Sequence, residues 1–100
     1  MVFRLLFVKL KPEFREGLKF VQFKQTAETA LMGVFGAQTV RFERAFDSQT
    51  KEDWDICITI EYVSGIDEER SAQDTIRLTF ERKFLASRAE RVWSGAFTSD

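Results

Sequence analysis

Histidine is absent from this chain of 100 residues, and the residues that mark specialised chemistry are scarce. Without histidine, the sequence lacks the commonest general base and the commonest metal ligand in proteins. The single cysteine, Cys57, excludes an internal disulfide and is typical of a reducing compartment. No stretch reaches the roughly 18 apolar residues that span a bilayer, and the first ten residues lack the pattern of a signal peptide. We therefore expect a cytoplasmic protein with no membrane partner.

A charge excess of either sign is also missing, because 15 Lys and Arg residues face 16 Asp and Glu residues. Proteins that bind nucleic-acid phosphates usually carry a basic excess, so we expect no nucleic-acid partner. Phosphate-binding loops, dinucleotide fingerprints, nucleophile elbows and zinc-ligand spacings are absent from the sequence. We predict that the protein uses no cofactor and binds no metal.

Aromatic residues are abundant, with eleven Phe, two Trp and one Tyr. Apolar residues make up 44% of the chain and charged residues 31%, a balance that is ordinary for a globular protein and too apolar for a disordered one. A chain this short has room for one domain, which we place over residues 1–100.

Hydrophobic periodicity and the residues that end each segment predict the order of elements. Strands are predicted at 2–10, 38–46, 54–63 and 92–98, and helices at 13–32 and 65–91. The second helical region should break near Gln73-Asp74, where Asp74 resembles an N-cap, as does Ser64 at its start. The polar segment 47–53 predicts a solvated loop.

The order β-α-β-β-α-β is that of the split βαβ, ferredoxin-like fold of the α+β class, with one antiparallel sheet and helices on one face. Alternation along the strands places a second set of side chains on the opposite face. The residues predicted there are Phe3, Leu5, Phe7, Arg41, Cys57, Thr59 and Glu61. That face is too apolar to stay in water, so we predict a homodimer in which a second copy covers it. We expect Arg41 to pair with Glu61 or Glu43 in the interface.

The carboxyl-terminal third carries the most specific pattern of the sequence, an Asp-led helix followed by an aromatic-bearing last strand. Together with the order and length of the elements, the pattern resembles the stress-responsive A/B-barrel (Dabb) domain of the dimeric α+β barrel superfamily. The segments that carry the resemblance are 10–12, 36–44, 54–63, 74–77 and 93–97. The resemblance covers nearly the whole chain and implies a dimeric α+β barrel of the stress-response type.

Three positions depart from the family pattern. Thr75 and Arg77 stand where the family commonly has proline and histidine, and Arg4 stands where its first strand often carries histidine. Plant polyketide cyclases of this family use histidines and a tyrosine in a pocket between sheet and helices, and that mechanism cannot be carried over to this chain. Haem-using relatives in the wider superfamily also need a histidine, so the absence of histidine argues against haem chemistry in this chain.

The resemblance places Arg4 and Arg77 near one another, where two guanidinium groups could bind a carboxylate or phosphate. We predict that these arginines approach each other or share an acidic partner. The alternative is that each pairs with a local acid, such as Asp74 or a glutamate, and binds no ligand. Tyr62 is the third candidate for ligand binding and the one weak candidate for catalysis, although a lone buried tyrosine is more often a core residue. Cys57 is interpreted as an inert thiol, because no histidine can accept its proton.

Two classes of function stay open. The first, which we favour, is a homodimer that binds a small apolar or anionic molecule. The second is a cofactorless cyclase, isomerase or monooxygenase acting on an aromatic or polyketide-like substrate. An apolar pocket of roughly a few hundred cubic ångströms beneath the helices, with polar groups converging in it, would favour the enzyme, and a core filled by phenylalanine would favour the first class.

Overall fold

Four strands form a single sheet in the computed structural model, which describes residues 1–99. The strands are β1 (Val2–Leu10), β2 (Ala37–Arg44), β3 (Ile56–Tyr62) and β4 (Ala89–Thr98). Their order in the sheet is β2-β3-β1-β4, and every neighbouring pair is antiparallel. The predicted α+β, ferredoxin-like architecture is therefore confirmed.

Two helical regions connect these strands in the predicted order, and one further short helix lies between β2 and β3, where none was predicted. They are α1 (Gly17–Met32), α2 (Ser48–Asp53), α3 (Gly65–Ser71) and α4 (Thr75–Thr79). After α4 the chain continues through a π-helical segment, Phe80–Leu85, into a last turn, α5 (Ala86–Arg88). Within residues 1–99, no helix has the length and apolar character needed to cross a membrane.

Two helix starts agree with the sequence prediction. The Ser64 hydroxyl accepts a hydrogen bond from the Asp67 backbone N–H at 3.3 Å and begins α3. The Asp74 carboxylate accepts one from the Ile76 N–H at 2.7 Å and begins α4. Asp74 also accepts a bond from the Phe35 N–H at 2.9 Å, so the cap ties α4 to the segment that follows α1.

The segment 47–53 was predicted to be a loop, and this prediction is wrong because Asp47 caps a short helix. Its Oδ1 accepts a hydrogen bond from the Thr50 N–H at 2.7 Å, and α2 follows. This helix lies at one end of the sheet, where Lys9 donates to the Lys51 carbonyl and Arg91 to the Asp53 carbonyl.

Two helix boundaries also differ from the prediction. A short 3-10 helix, Pro12–Phe14, precedes α1, which begins only at Gly17, where φ is +72°. Such a φ favours glycine and separates the two helices. The last helix ends at Arg88 instead of residue 91, because Ala89 already pairs with Leu10 in the β1–β4 ladder.

The hydrophobic core lies between one face of the sheet and the helices. Alternate residues of β3, predicted as its apolar face, are at most 2% exposed: Ile56, Ile58, Ile60 and Tyr62. Above them, the Phe23, Phe84 and Phe80 rings are stacked, with centroids 5.3 and 5.2 Å apart. Phenylalanine therefore fills much of the space between α1 and the last helix.

Candidate functional site

The sheet surface that faces away from the core, here called the open face, carries aromatic side chains contributed by two adjacent strands. Of the residues predicted on it from β1 and β3, five are partly exposed and alternate with the core positions, namely Phe3, Leu5, Phe7, Cys57 and Glu61, whereas Thr59 is only 5% exposed. Across the β1–β4 ladder, Phe3 pairs with Phe97, and Phe7 pairs with Trp93. The register therefore extends the predicted apolar surface onto β4.

These aromatic rings form one cluster. The rings of Phe7 and Trp93 are stacked, with their centroids 5.1 Å apart. The Trp54 ring lies 5.8 Å from the Phe7 ring, and the Phe97 ring lies 6.2 Å from the Trp93 ring. In a single chain, 42% of Trp93 and 52% of Phe97 are exposed. Gly95 lies between them, and an added Cβ there would overlap the Trp93 ring. The indole therefore lies flat over the glycine, across the surface of β4.

Charged residues border this cluster. The Arg91 guanidinium lies 4.8 Å from the centre of the Trp54 ring, a cation–π contact, and pairs with Asp53 at 3.3 Å. Arg41 takes part in no ion pair within residues 1–99 of one chain. Its predicted pairing with Glu43 or Glu61 is therefore not made inside a single chain and stays a prediction for the interface between two copies.

A pocket of about 230 Å³ lies where the open face meets α2. Its walls include the rings of Phe7, Trp54 and Phe46 and the thiol of Cys57, with Glu43 at its border. Phe46 is 92% exposed, although it is a large apolar residue. Burial raises the pKa of the Cys57 thiol, which therefore stays neutral and contributes to an apolar wall. The pocket is suited to a small uncharged molecule.

On the helix side of the sheet, the candidates Arg4 and Arg77 meet at one carboxylate. The Glu68 Oε1 atom accepts hydrogen bonds from Arg4 Nε at 2.8 Å and from Arg77 Nη1 at 3.2 Å. The prediction of a shared acidic partner is confirmed. Glu68 is 6% exposed and Arg77 is 4% exposed, so this ion pair is desolvated on both sides.

The network continues to the third candidate, Tyr62. The Tyr62 and Ser71 hydroxyl oxygens lie 2.8 Å apart in a hydrogen bond, and Arg77 Nη1 donates to Ser71 Oγ. Tyr62 has no exposed surface, and burial raises the pKa of its phenol. The hydroxyl is therefore neutral and occupied by a protein partner, as is typical of a core tyrosine.

Two residues of this network were not predicted from the sequence. Glu68 and Ser71 were missed, although their spacing of three residues places them on one face of α3. Their carboxylate and hydroxyl accept hydrogen bonds from Arg77 Nη1, and Glu81 accepts one from Nε, so these two donors are taken by the protein itself. On the open face, Trp93 and Phe97 were missed as interface residues, although their period-two spacing with Arg91 and Gly95 is the signal of one strand face.

No profile of a protein family matches the sequence, and no curated protein is significantly similar to it. Solved structures with the same fold exist. A Dabb family protein from Mesorhizobium loti with a ferredoxin-like fold is 15% identical, with a TM-score of 0.84 over 99% of this chain and 96% of that one.

Two further structures are similar to the chain. An antibiotic biosynthesis monooxygenase candidate from Nitrosomonas europaea is 14% identical, with a TM-score of 0.70 over 99% of this chain and 98% of that one. A dimeric protein from Bacteroides fragilis is 12% identical, with a TM-score of 0.58 over 96% and 93%. At these identities the similarity establishes the fold, which is the ferredoxin-like α+β fold that the order of elements predicted.

Proposed function

We propose that the protein is a homodimer of the stress-responsive A/B-barrel type, in which two copies pack their open faces together, and that it binds a small apolar molecule. The observation that carries the proposal is the contiguous aromatic cluster of the open face. Burying a large apolar side chain contributes roughly 1.5–3 kcal/mol, so covering Trp93 and Phe97 favours association. The dimeric Bacteroides fragilis protein of the same fold supports this arrangement. We also propose a cytoplasmic location, on the basis of the single free cysteine.

A two-fold pair is the simplest assembly for such a face, because each copy presents the same self-complementary surface. The charges on β2 then lie inside the barrel or at its border. We propose that Arg41 finds Glu43 or Glu61 of the other copy there, since an unpaired charge in a buried interface is costly.

Sedimentation tests the dimer directly. We expect a mass of about twice the 11.7 kDa of one chain at micromolar concentration. The Trp93→Glu variant places a charge in the interface and should sediment as a monomer. The matched control is Ile66→Glu, which replaces an exposed apolar residue of α3 and should stay dimeric. A wild-type monomer, or equal dissociation of both variants, would contradict the proposal.

The ligand site that we propose is the pocket between the open face and α2. An apolar cavity of about 150 Å³ is sufficient to hold benzene, so a pocket of about 230 Å³ has room for one ring with a small substituent. Toluene is a suitable probe, followed by the NMR shifts of the Trp54 side chain. We expect saturable binding that Cys57→Leu abolishes by filling the pocket. Thr39→Val, at an exposed position of β2 outside the pocket lining, should leave binding unchanged; loss in both variants, or in neither, would contradict the site.

The anionic alternative is less well supported, because Arg4 and Arg77 both donate to the Glu68 carboxylate, and Ser94, Ser71 and Glu81 accept further bonds from them. The alternative enzyme function is supported by the shared fold of the Nitrosomonas europaea protein. The catalysis would then depend on Tyr62, whose hydroxyl is buried and bonded to Ser71. A Tyr62→Phe variant that lost turnover of an aromatic substrate while keeping its stability would favour the enzyme.

A further inference from the structure

A long groove runs along the outer side of the helix layer, between α1 and the helical region from α4 to α5. Two adjoining pockets of about 450 and 340 Å³ form it, and a third of about 400 Å³, lined by α1 alone, borders both. The pockets share lining residues, since Phe84 borders the first and second, Ala30 the second and third, and Thr26 the first and third. We call this continuous feature the helix groove. It lies on the side of the sheet opposite the open face and is separate from the proposed dimer contact.

The middle of the helix groove is apolar. Its floor is the stack formed by Phe23, Phe80 and Phe84, and its far end is closed by Ile76, which is 43% exposed. The Phe80 and Phe84 rings project from a π-helical segment, a rare backbone form that is frequent at functional sites, and Phe23 joins them from α1.

One end of the groove is cationic. The Arg88 guanidinium lies 4.1 Å from the centre of the Phe84 ring, and Lys19 lies on the other wall. Arg88 makes no ion pair within residues 1–99; its Nη1 donates only to the Phe84 carbonyl and the Ser87 hydroxyl. Lys19 is paired with Glu13 at 3.1 Å. Arg88 therefore carries the available positive charge, and its Nε and Nη2 groups are free to donate.

We propose that the helix groove binds a single-chain anionic amphiphile, with the acid group at Arg88 and the hydrocarbon chain over the phenylalanine stack. Ile76 and Arg88 are twelve residues apart, which at about 1.5 Å per residue corresponds to at most roughly 18 Å, comparable with the length of an extended fatty acid of about twelve carbons. A neutral apolar molecule would leave Arg88 unused, and a short anion would leave the apolar floor uncovered. Both ends of the groove are satisfied by one molecule that is charged at one end only.

Dodecanoate is the probe that tests this inference, at concentrations below its micelle range and with the full chain. We expect saturable binding by calorimetry, with NMR shift changes confined to α1 and residues 75–88. Dodecyltrimethylammonium has the same chain with the opposite charge and should bind at least about tenfold more weakly, since a hydrogen bond to a charged group contributes about 1.5–3 kcal/mol. Equal binding of the two probes would overturn the proposal.

Two variants locate the site. Arg88→Gln should weaken dodecanoate binding by about tenfold or more, whereas Arg91→Gln, a control on the open face, should leave it unchanged. Thr26→Trp replaces an exposed residue of the groove wall and should block the chain without disturbing the core. If dodecanoate instead shifts β1 and β4 resonances, or if Arg91→Gln weakens binding equally, the open face is the binding surface and the inference is wrong. Sedimentation of the same variants measures dimer formation separately. Loss of dodecanoate binding would therefore leave the dimer proposal intact, and a monomeric protein would leave the helix groove proposal intact.

Discussion

Glu68 determines how the two candidate arginines are used. Its carboxylate is almost fully buried and accepts hydrogen bonds from Arg4 and Arg77, one on the sheet and one on the last helical region. Arg77 also contacts Glu81 at 3.4 Å, so each charge in this network has a partner of opposite sign. The residue pair that suggested an anion site in the sequence is therefore an ion-pair network that joins α3, α4 and β1.

Removal of this carboxylate should be strongly destabilising. In Glu68→Ala the two guanidinium groups lose their shared partner while Arg77 stays buried, and breaking a buried pair in this way costs about 3–5 kcal/mol. Urea denaturation measures the loss in the free energy of unfolding. Added formate should restore part of it, because the small anion can occupy the vacated position, whereas chloride at equal ionic strength should not.

The control for this prediction is Glu69→Ala, which removes an exposed carboxylate from the same helix. A surface substitution of this kind is expected to change stability by about 0.5 kcal/mol or less. Equal stability of the two variants would show that Glu68 is dispensable. A formate effect that is the same in wild type and Glu68→Ala would show that no anion position has been opened.

At the scale of elements, capping determines where the helices begin. Asp47 and Asp74 each satisfy a free N–H at a helix start, and the hydrogen bonds lower the pKa of both carboxyl groups. For Asp74 the largest cause is the bond from the Phe35 N–H, which comes from the segment between α1 and β2. The cap therefore contributes to tertiary structure as well as to α4.

Asp74→Ala should lower the free energy of unfolding by about 1 kcal/mol at neutral pH, the usual cost of losing an N-cap. Because the pKa of Asp74 is lower in the folded state, its charged form contributes stability above the unfolded pKa of about 3.9, and this contribution is lost as pH falls through the folded pKa. The difference between wild type and variant should therefore shrink from about pH 7 to about pH 3. Urea denaturation at both pH values measures it, and Glu69→Ala serves as the control. A difference between wild type and variant that grew at low pH would contradict the prediction that the charged form of Asp74 stabilises the fold.

At the scale of the whole molecule, the two sides of the sheet have different partners. The helices cover one side, and the open face keeps an aromatic cluster exposed in a single chain. The flat position of the Trp93 indole over Gly95 makes this surface continuous, because a side chain at residue 95 would displace the ring.

Gly95→Ala should therefore weaken the dimer more than it weakens the fold. The ring atoms that meet the new Cβ belong to the end of the Trp93 side chain, which can turn away without moving the backbone. We expect the sedimentation midpoint to move to higher protein concentration, with little change in the unfolding of the separated chains. Gly65→Ala is the control, since an added Cβ there meets no atom within 4 Å. Unchanged association in Gly95→Ala would mean that Trp93 does not form the contact.

The sequence alone determined the order of the four strands and of the two main helical regions, the alternation of the strands and two of the helix caps. These features depend on residues that are close together in the chain, such as Ser64 with Asp67 and the alternate isoleucines of β3. The resemblance to the Dabb domain placed Arg4 near Arg77, and the structure shows them at one carboxylate. The helix at Ser48–Asp53 was missed because one capping side chain outweighed a polar composition typical of loops.

Only the tertiary structure decided what those residues contact. Glu68 lies 64 positions from Arg4 in the chain, and no local pattern relates them. The same holds for Phe7 and Trp93, which meet through the β1–β4 register, and for the groove that α1 forms with the last helical region. Hydrophobic periodicity and helix capping are local properties of the chain. A shared carboxylate, a ring stack or a groove exists only once distant segments have been brought together, because contacts between those segments supply its stabilising energy.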